Sequence, residues 1–480
     1  MKSIYIIGLL IITLTLSSCG DKFIELDPIS TVNTELLYKT NEDFEGALIG
    51  CYAVLREQYK RYWIFTDLRS DDSWHQLGNS VRNISINNFT IDPNEGTLRS
   101  LWLDYYKLIY LANEILTRIE DVEPTSVTKK DQFVGEASFL RALAYFDLVR
   151  FFGDVPLLLR PLSISEAYQT GRESVPVVYE AIIQDLLVAE ASLPSSYSGI
   201  ELGKPTSGAA KSLLGKVFLT VKDYGKAEEK LQEVTTMGYK LLDNFEDLFD
   251  YSKDEHHSEY IFDVEYESGL GDLGSPFSNV FLPKSVGSTA DRYFGVVGGA
   301  EENNNPTMDL LNAYDEGDLR RDITVTDGRG FYDDEGVFHS FVQIETFSRK
   351  HMAPTTGLYD SPVNWKILRY ADVLLMYAEV LNENGKTIES LNFLNQVRKR
   401  AGLPDFSSSD KDEIRQAVLK ERRLELALEG HRWFDLLRTG NAFSVLQSEG
   451  MKEFMNVYPI PLGEIRVINN ESVLNQNPGY

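Results

Sequence analysis

Two separate stretches of the chain share one spacing of small and large apolar residues, and this spacing constrains the fold more than any other feature of the sequence. In a tetratricopeptide repeat, small residues let two antiparallel helices approach each other, and large residues fill the space between them. The two matching sets are Leu214, Gly215, Phe218, Ala227 and Leu231, and Tyr377, Ala378, Leu381, Ser390 and Leu394. The sequence therefore predicts helix pairs of this type in both halves of the chain.

A third helix is predicted over residues 136–151, where Ala142 and Tyr145 take the same small and aromatic positions. Its partner helix, over residues 178–193, follows only after a long insert. Between about 240 and 365 the helical periodicity gives way to Gly, Asp, Asn and aromatic residues with short strand-like runs, such as 260–266. We therefore predict a mainly α fold: a tetratricopeptide-like superhelical scaffold with a loop-rich, partly β insert layer that carries the ligand site.

The N-terminus predicts export and attachment to a membrane. Lys2 precedes an apolar run over residues 4–16, and Ser17 and Ser18 precede Cys19, as in a signal peptide that is cut before the cysteine. The run is shorter than the roughly 20 residues that a spanning helix needs. Cys19 resembles the acylated cysteine of a bacterial lipobox, and acyl chains would anchor the protein. The alternative is an ordinary cleaved signal in which Cys19 is incidental.

These patterns divide the chain into a signal peptide (residues 1–18), an N-terminal helical region (residues 19–235) and a loop-rich insert region (residues 236–365).

The net charge of -26 argues against nucleic acid as a partner, because proteins bind nucleic acid by neutralising its phosphates with Lys and Arg. This charge suits a neutral ligand better. With Cys19 acylated, Cys51 has no cysteine to pair with, and its helical, apolar surroundings predict a small buried residue.

Motifs for common chemistries are missing or incomplete. Residues 269–274 fit G-x-G-x-x-G, but the following residues 275–278 predict no helix to hold a pyrophosphate, so we expect a flexible loop. The sequence contains neither G-x-S-x-G nor H-E-x-x-H. Residues 254–259 could bind a metal, but a solvated charged loop fits them better because no spacing fixes a coordination geometry. No cofactor is predicted. A pair of carboxylates that hydrolyses a glycosidic bond remains an alternative, because the sequence does not give the distance between two acids.

Aromatic residues are the best candidates for ligand binding, because the apolar faces of sugar rings stack on flat side chains. Trp63, Trp102 and Trp365 lie in apolar or helical patterns and are predicted to be core residues. Trp74 lies in a polar loop over residues 71–79, where it can be either a ligand platform or a loop anchor. Its polar neighbours would orient sugar hydroxyls; they are Asp71, Asp72, His75 and Arg82. Two aromatic pairs in glycine-rich stretches are weaker candidates for ligand platforms; they are Tyr293 with Phe294, and Phe331 with Tyr332.

The C-terminal part of the chain carries long and specific motifs. They are the charged segment 421–436, Tyr458-Pro459-Ile460-Pro461, the C-terminal residues 475–480, and residues 364–365 and 369–379. Together with residues 41–55, 139–149 and 153–156 near the front, they closely resemble the RagB/SusD family of Bacteroidota outer-membrane nutrient-binding lipoproteins. The resemblance covers nearly the whole mature chain, and its C-terminal family region spans residues 280–480.

The resemblance implies a helical body of four tetratricopeptide-like units with a loop-rich layer around the ligand site. It also implies a surface-exposed, lipid-anchored protein of the outer membrane that is not an enzyme. Such a protein captures a glycan, or in some members a peptide, and passes it to a SusC-like TonB-dependent barrel. An envelope glycoside hydrolase and a scaffold that binds only proteins are the competing hypotheses. We expect the Arg and Glu residues of segment 421–432 to be structural, through pairs within their helix and bridges to neighbouring helices.

Overall fold

The computed structural model of the protein describes residues 38–75, 80–123, 125–253, 255–284, 294–326, 330–332, 337–340 and 346–480. The predicted signal peptide and Cys19 lie outside these residues, as does Tyr293. In the described part of the chain, no helix combines the length and the apolar composition that crossing a bilayer requires.

Helices form most of the described structure, as the periodicity predicted. They are α1 (Asn41–Tyr59), α2 (Tyr62–Phe65), α3 (Val81–Asn87), α4 (Gly96–Arg118), α5 (Lys130–Phe152), α6 (Ile164–Ala167), α7 (Val175–Ser192), α8 (Ser207–Thr220), α9 (Tyr224–Thr235), α10 (Phe277–Phe281), α11 (Met308–Ala313), α12 (Arg321–Thr324), α13 (Tyr370–Glu383), α14 (Thr387–Arg400), α15 (Lys411–Glu425), α16 (Arg432–Thr439), α17 (Ala442–Leu446) and α18 (Leu462–Ile468). The long helices pack as α1 with α4, α5 with α7, α8 with α9, and α13 with α14.

Short strands join the loops to this helical scaffold. They are β1 (Ser73–Trp74), β2 (Val155–Pro156), β3 (Arg172–Glu173), β4 (Tyr260–Val264), β5 (Asn305–Pro306), β6 (Gly330–Tyr332), β7 (Phe338–Ser340) and β8 (Trp365–Arg369). In the described residues they form antiparallel pairs: β1 with β5, β2 with β3, β4 with β8, and β6 with β7. The mainly α scaffold with a partly β, loop-rich layer is therefore confirmed.

The small residues of the predicted repeats lie where two helices touch. A Cβ atom on Gly215 would lie 2.6 Å from the Cγ atom of Leu231, so only glycine fits between α8 and α9 at this distance. The Ser390 hydroxyl on α14 donates a 2.6 Å hydrogen bond to the carbonyl of Ala378 on α13. Cys51 is buried on α1, and burial raises the pKa of its thiol to about 12. The sequence predicted each of these positions correctly.

The structure confirms one local prediction and contradicts two. The strand-like run at residues 260–266 forms strand β4, in which Phe262 and Asp263 are both buried. No helix was predicted over residues 275–278, but the five-residue helix α10 begins at Phe277. The glycine-rich segment before it is tied to a neighbouring loop, because Gly269 N–H donates a 2.9 Å hydrogen bond to an Asp360 carboxylate oxygen. Glu259, predicted to lie in a solvated loop, is buried and pairs with Arg369 at 3.1 Å.

A buried network of ion pairs is centred on the C-terminal end of α15. The Glu425 carboxylate accepts hydrogen bonds from Arg369 at 2.6 Å and from Arg320 at 3.0 Å, and it also pairs with Arg400. Glu429 accepts from Arg369 at 2.8 Å and from Lys350 at 2.7 Å. The predicted bridges to neighbouring elements are therefore present, and they join α15 to β8, α14 and the loops that contain Arg320 and Lys350.

The cations of this network set the charge of its acids. Burial by itself would raise the pKa of Glu425, but Arg400, Arg369 and Arg320 outweigh burial and lower it far below its usual range. The pKa of Glu429 is lowered to about 2, because Arg369 and Lys350 outweigh the effect of burial. Both carboxylates are therefore ionised at neutral pH, which buried carboxylates without partners would not be.

Glu425→Gln should lower the free energy of unfolding by about 3 to 5 kcal/mol, because it leaves buried guanidinium groups short of one negative charge. Urea unfolding at pH 7 would measure the loss. Glu464→Gln is the matched control, since Glu464 pairs at 2.7 Å with the exposed Arg99 and such a pair contributes only about 0 to 1 kcal/mol. Equal losses in the two variants would contradict the central role of Glu425.

The wild type and Glu425→Gln should also differ in how their stability changes at low pH. Because folding lowers the pKa of Glu425 below its ordinary value of 4.5, the stability that Glu425 contributes is present above that pH and is lost as the pH falls below it. The wild type should therefore lose stability more steeply than Glu425→Gln below that pH. Parallel stability curves would show that Glu425 does not carry this contribution.

Candidate functional site

Trp74 projects from a short strand at the surface of the insert layer. In β1, Ser73 pairs with Pro306 and Trp74 pairs with Asn305 of β5. Successive side chains of a strand point to opposite sides, so Ser73 and His75 are buried while Trp74 keeps 37% of its surface exposed. The segment predicted as a polar loop is thus a paired strand at this point, and it presents the indole to solvent.

The acids beside Trp74 bind arginines of the C-terminal motif. Asp71 accepts hydrogen bonds from Arg432 Nε at 2.7 Å and Nη2 at 2.8 Å. Asp72 is buried and accepts from Arg423 Nε at 2.6 Å. Both carboxylates were predicted to orient sugar hydroxyls, but the structure engages them in ion pairs that hold β1 in place, which corrects that prediction.

His75 and Arg82 differ in their access to solvent. The His75 ring is buried, and burial, with Lys284 and Arg82 nearby, lowers its pKa to about 4, so the ring is neutral at pH 7. With only 4% of its surface exposed, His75 offers little area to a sugar, and its role in binding stays a prediction. Arg82 is exposed on α3, and its Nη1 atom donates to the Thr97 hydroxyl at 3.0 Å.

The weaker aromatic candidates take different positions. Phe294 is half-buried and packs edge-to-face on Phe347, with ring centroids 5.8 Å apart, so it contributes to packing. Phe331 and Tyr332 lie in β6, which pairs with β7. Tyr293 is outside the described residues.

A groove opens on the same side of the molecule, among α1, α2, α3, α10 and the loops around residues 301 and 359. We call it the Tyr359 groove. Its volume of about 540 Å³ lies within the usual range of ligand sites. Aromatic, amide and charged side chains line it, among them Trp63, Arg82, Asn83, Glu301, Asn303 and Tyr359. The groove thus combines aromatic surface with amide and charged groups.

Tyr359 is held in a defined orientation although 44% of its surface is exposed. Its φ of 58° lies in the left-handed region, which is uncommon for a non-glycine residue. The buried Asn279 side chain accepts a 2.9 Å hydrogen bond from Tyr359 N–H and donates to the carbonyls of Val297 and Gly299. The phenol donates to Glu301, and this hydrogen bond raises the pKa of the phenol.

Trp74 and the Tyr359 groove share one chain segment, residues 303–305. Asn303 lines the groove, and Asn305 pairs with Trp74. Between them, the Asn304 side chain accepts from the Ser73 hydroxyl at 2.6 Å and donates to Asp67 at 3.1 Å. The buried segment 303–305 therefore contacts both the strand that carries Trp74 and the Tyr359 groove.

The sequence did not identify Tyr359 as a candidate, although a signal was present. Residues 353–362 contain glycine, proline and threonine residues around one aromatic residue, which is the pattern that identified Trp74. Trp63 was correctly predicted to be packed, but its ring also forms part of the groove wall. In the described residues, no cluster of three or more His, Cys, Asp or Glu side chains is arranged to hold a metal ion.

Comparisons with known proteins match both halves of the chain. Residues 335–480 match a family described as "SusD family", and residues 22–219 match one described as "Starch-binding associating with outer membrane". SusD-like protein P2 of Formosa agariphila is 29% identical over 520 residues, which covers 99% of each chain. A SusD-like protein of Bacteroides ovatus is 26% identical and covers 88% of this chain and 80% of its own.

Solved structures agree with these sequence matches. A laminarin binding SusD-like protein is 32% identical and superposes with a TM-score of 0.79, covering 92% of this chain and all of its own. Surface glycan-binding protein A from Bacteroides fluxus is 26% identical, with a TM-score of 0.78 and the same coverage of this chain.

Asn279→Ala should release the loops around residues 297–299 and 359, because it leaves two carbonyls and the Tyr359 N–H without a partner. The expected loss of stability is about 1 to 3 kcal/mol. Hydrogen exchange should become faster at the Tyr359 amide than in the wild type. Asn456→Ala, which changes an exposed asparagine bonded to the carbonyl of Glu453, is the control. Unchanged exchange at Tyr359 would show that Asn279 does not hold this loop.

Proposed function

Because the chain belongs to the SusD family, we propose that it captures a glycan at the outer-membrane surface and passes it to a SusC-like TonB-dependent barrel. The observation that carries this proposal is the groove in which the exposed Tyr359 lies with the amide groups of Asn83 and Asn303, and the exposed Trp74 on β1 is a second candidate platform. Aromatic faces stack on the C–H faces of sugar rings, and amides satisfy the hydroxyls. The 32% identical relative described as laminarin binding supports a glycan over a peptide.

We further propose that the protein binds its glycan without cleaving it. The two carboxylates that line the groove are engaged with neighbours: Glu57 pairs with Lys60 at 2.7 Å, and Glu301 binds Tyr359 and Asn303. A glycosidase needs one carboxyl group that keeps its proton and a second that is free to act as a base or nucleophile. Release of reducing ends from a bound polysaccharide would contradict this proposal and favour the hydrolase.

Trp74→Ala and Tyr359→Ala should each weaken glycan binding by about 1 to 3 kcal/mol, a factor of roughly 5 to 150, because each removes one stacking platform. Calorimetry with laminarihexaose is the first measurement, since a relative binds laminarin. Tyr168→Ala is the control, because Tyr168 is 45% exposed and lies on a different part of the chain.

Thermal melting separates binding from packing in these variants. Both aromatic side chains are partly exposed, so the melting temperature should stay close to that of the wild type. Unchanged affinity together with a lower melting temperature in Trp74→Ala would show that Trp74 is a packing residue. Unchanged affinity in both variants would place the glycan elsewhere.

Attachment to the membrane completes the proposed function, because a captured glycan must stay close to the barrel. We propose that acyl chains on Cys19 supply this attachment, since several chains hold a protein stably. Cys19→Ala should move the protein from the outer-membrane pellet to the soluble fraction in a strain that lacks the barrel. A variant that remains in the pellet of that strain would contradict the anchor, and repeated purification of the wild type without the barrel would contradict the partnership.

A further inference from the structure

The Tyr359 groove differs in charge from the rest of the protein. The chain has 73 acidic and 47 basic residues and a net charge of -26. The groove, in contrast, is lined by the basic residues Lys60, Arg61, Arg82 and Lys284 and by the acidic residues Glu57 and Glu301. A local excess of positive charge inside a concave surface focuses the electrostatic field on whatever enters the groove.

Lys60 and Arg61 are already paired with a carboxylate, and Glu301 is hydrogen-bonded to neutral groups. Lys60 pairs with Glu57 at 2.7 Å, and Arg61 pairs with Asp104. Glu301 accepts hydrogen bonds from Tyr359 and from Asn303, the latter at 3.1 Å. The hydrogen-bonding groups of these side chains are thus directed at the protein.

Arg82 is different, because its hydrogen bonds go to neutral oxygen atoms. Its Nη1 atom donates to the Thr97 hydroxyl at 3.0 Å, and its Nε atom donates to the Asn83 amide oxygen at 3.2 Å. Arg82 is exposed and forms no ion pair with a carboxylate of the described residues. These two bonds fix the guanidinium at the groove wall without neutralising its charge.

Lys284 lines the same groove as Arg82. Burial lowers the pKa of the nearby His75 ring, and both cations add to this effect. The ring is neutral at pH 7 and brings no further charge to this part of the protein.

We infer that the Tyr359 groove binds a glycan that carries acidic groups, either carboxylate or sulfate, and that Arg82 recognises such a group. This inference rests on the proposed capture of a glycan. The planar guanidinium offers parallel N–H donors that match the oxygen atoms of a carboxylate or a sulfate, and hydrogen bonds between charged groups are stronger than neutral ones. Tyr359 would then stack on the sugar ring, and Arg82 would select its substituent.

The test uses oligosaccharides that share one backbone and differ only in the acidic group. One pair is oligogalacturonate and its full methyl ester, and the other is a carrageenan oligosaccharide and its desulfated form. Laminarihexaose is the neutral reference. Calorimetry at low and high salt should show that the wild type binds the acidic member of at least one pair about tenfold more tightly, and that added salt reduces this preference. The pair that responds distinguishes a carboxylate from a sulfate.

Arg82→Gln should remove most of this preference, so that the ratio between the affinities for the acidic and the neutral member falls toward one. Arg118→Gln is the matched control: it removes the same charge at the far end of α4, about 30 Å along that helix from Thr97. The preference should survive in this control. Because both variants change the net charge equally, a difference between them reports the groove and not the overall charge.

The outcomes separate this inference from the proposed function. Binding of neutral glycans that depends on Trp74 or Tyr359, without any preference for an acidic member, overturns the inference and leaves glycan capture standing. A preference that persists in Arg82→Gln also overturns it. Failure of every oligosaccharide to bind contradicts both the inference and the proposed capture.

Discussion

The side chain of Arg369 lies between Glu425 and Glu429 in a part of the molecule that water does not reach, and the rest of the architecture depends on this contact. Its Nη1 atom is 2.6 Å from Glu425, and its Nε atom is 2.8 Å from Glu429. Removing such charges from water costs several kcal/mol for each ion, so the arrangement is stable only when every charge has its partners. The helical scaffold and the insert layer must therefore meet in one fixed geometry.

The same segment also positions the candidate site. While the glutamates of segment 421–432 point into the buried network, Arg423 and Arg432 point the other way and bind Asp72 and Asp71. These bonds fix the position of β1, the strand that consists of Ser73 and Trp74. The most specific motif of the sequence is thus structural, as predicted, but it determines where an exposed indole stands. One charged segment therefore both stabilises the fold and sets the position of Trp74.

The scaffold could be predicted from the sequence because its signals are local. Gly215 and Ser390 mark helix contacts within a few turns of their partners, and periodicity is sufficient to locate them. The site could not be predicted in the same way. Asp72 binds Arg423 across 351 positions of the chain, and nothing near Asp72 indicates that its carboxylate is already engaged. The polar composition of residues 71–79 therefore indicated an exposed Trp74, but not the ion pairs of the acids beside it.

Tyr359 shows how a residue of the loop layer can be held in one defined orientation. Its left-handed backbone is unfavourable for a residue with a side chain, and three hydrogen bonds of the buried Asn279 offset this cost. The aromatic ring is therefore held in one orientation by the protein itself, and a side chain held in this way has little conformational freedom left to lose. The neighbouring Ser278 hydroxyl donates to the carbonyl of His351 at 3.0 Å and accepts from Ala353 N–H at 3.1 Å. Because Lys350, the residue before His351, binds Glu429 at 2.7 Å, the segment that holds Tyr359 lies next to the ion-pair network in the chain.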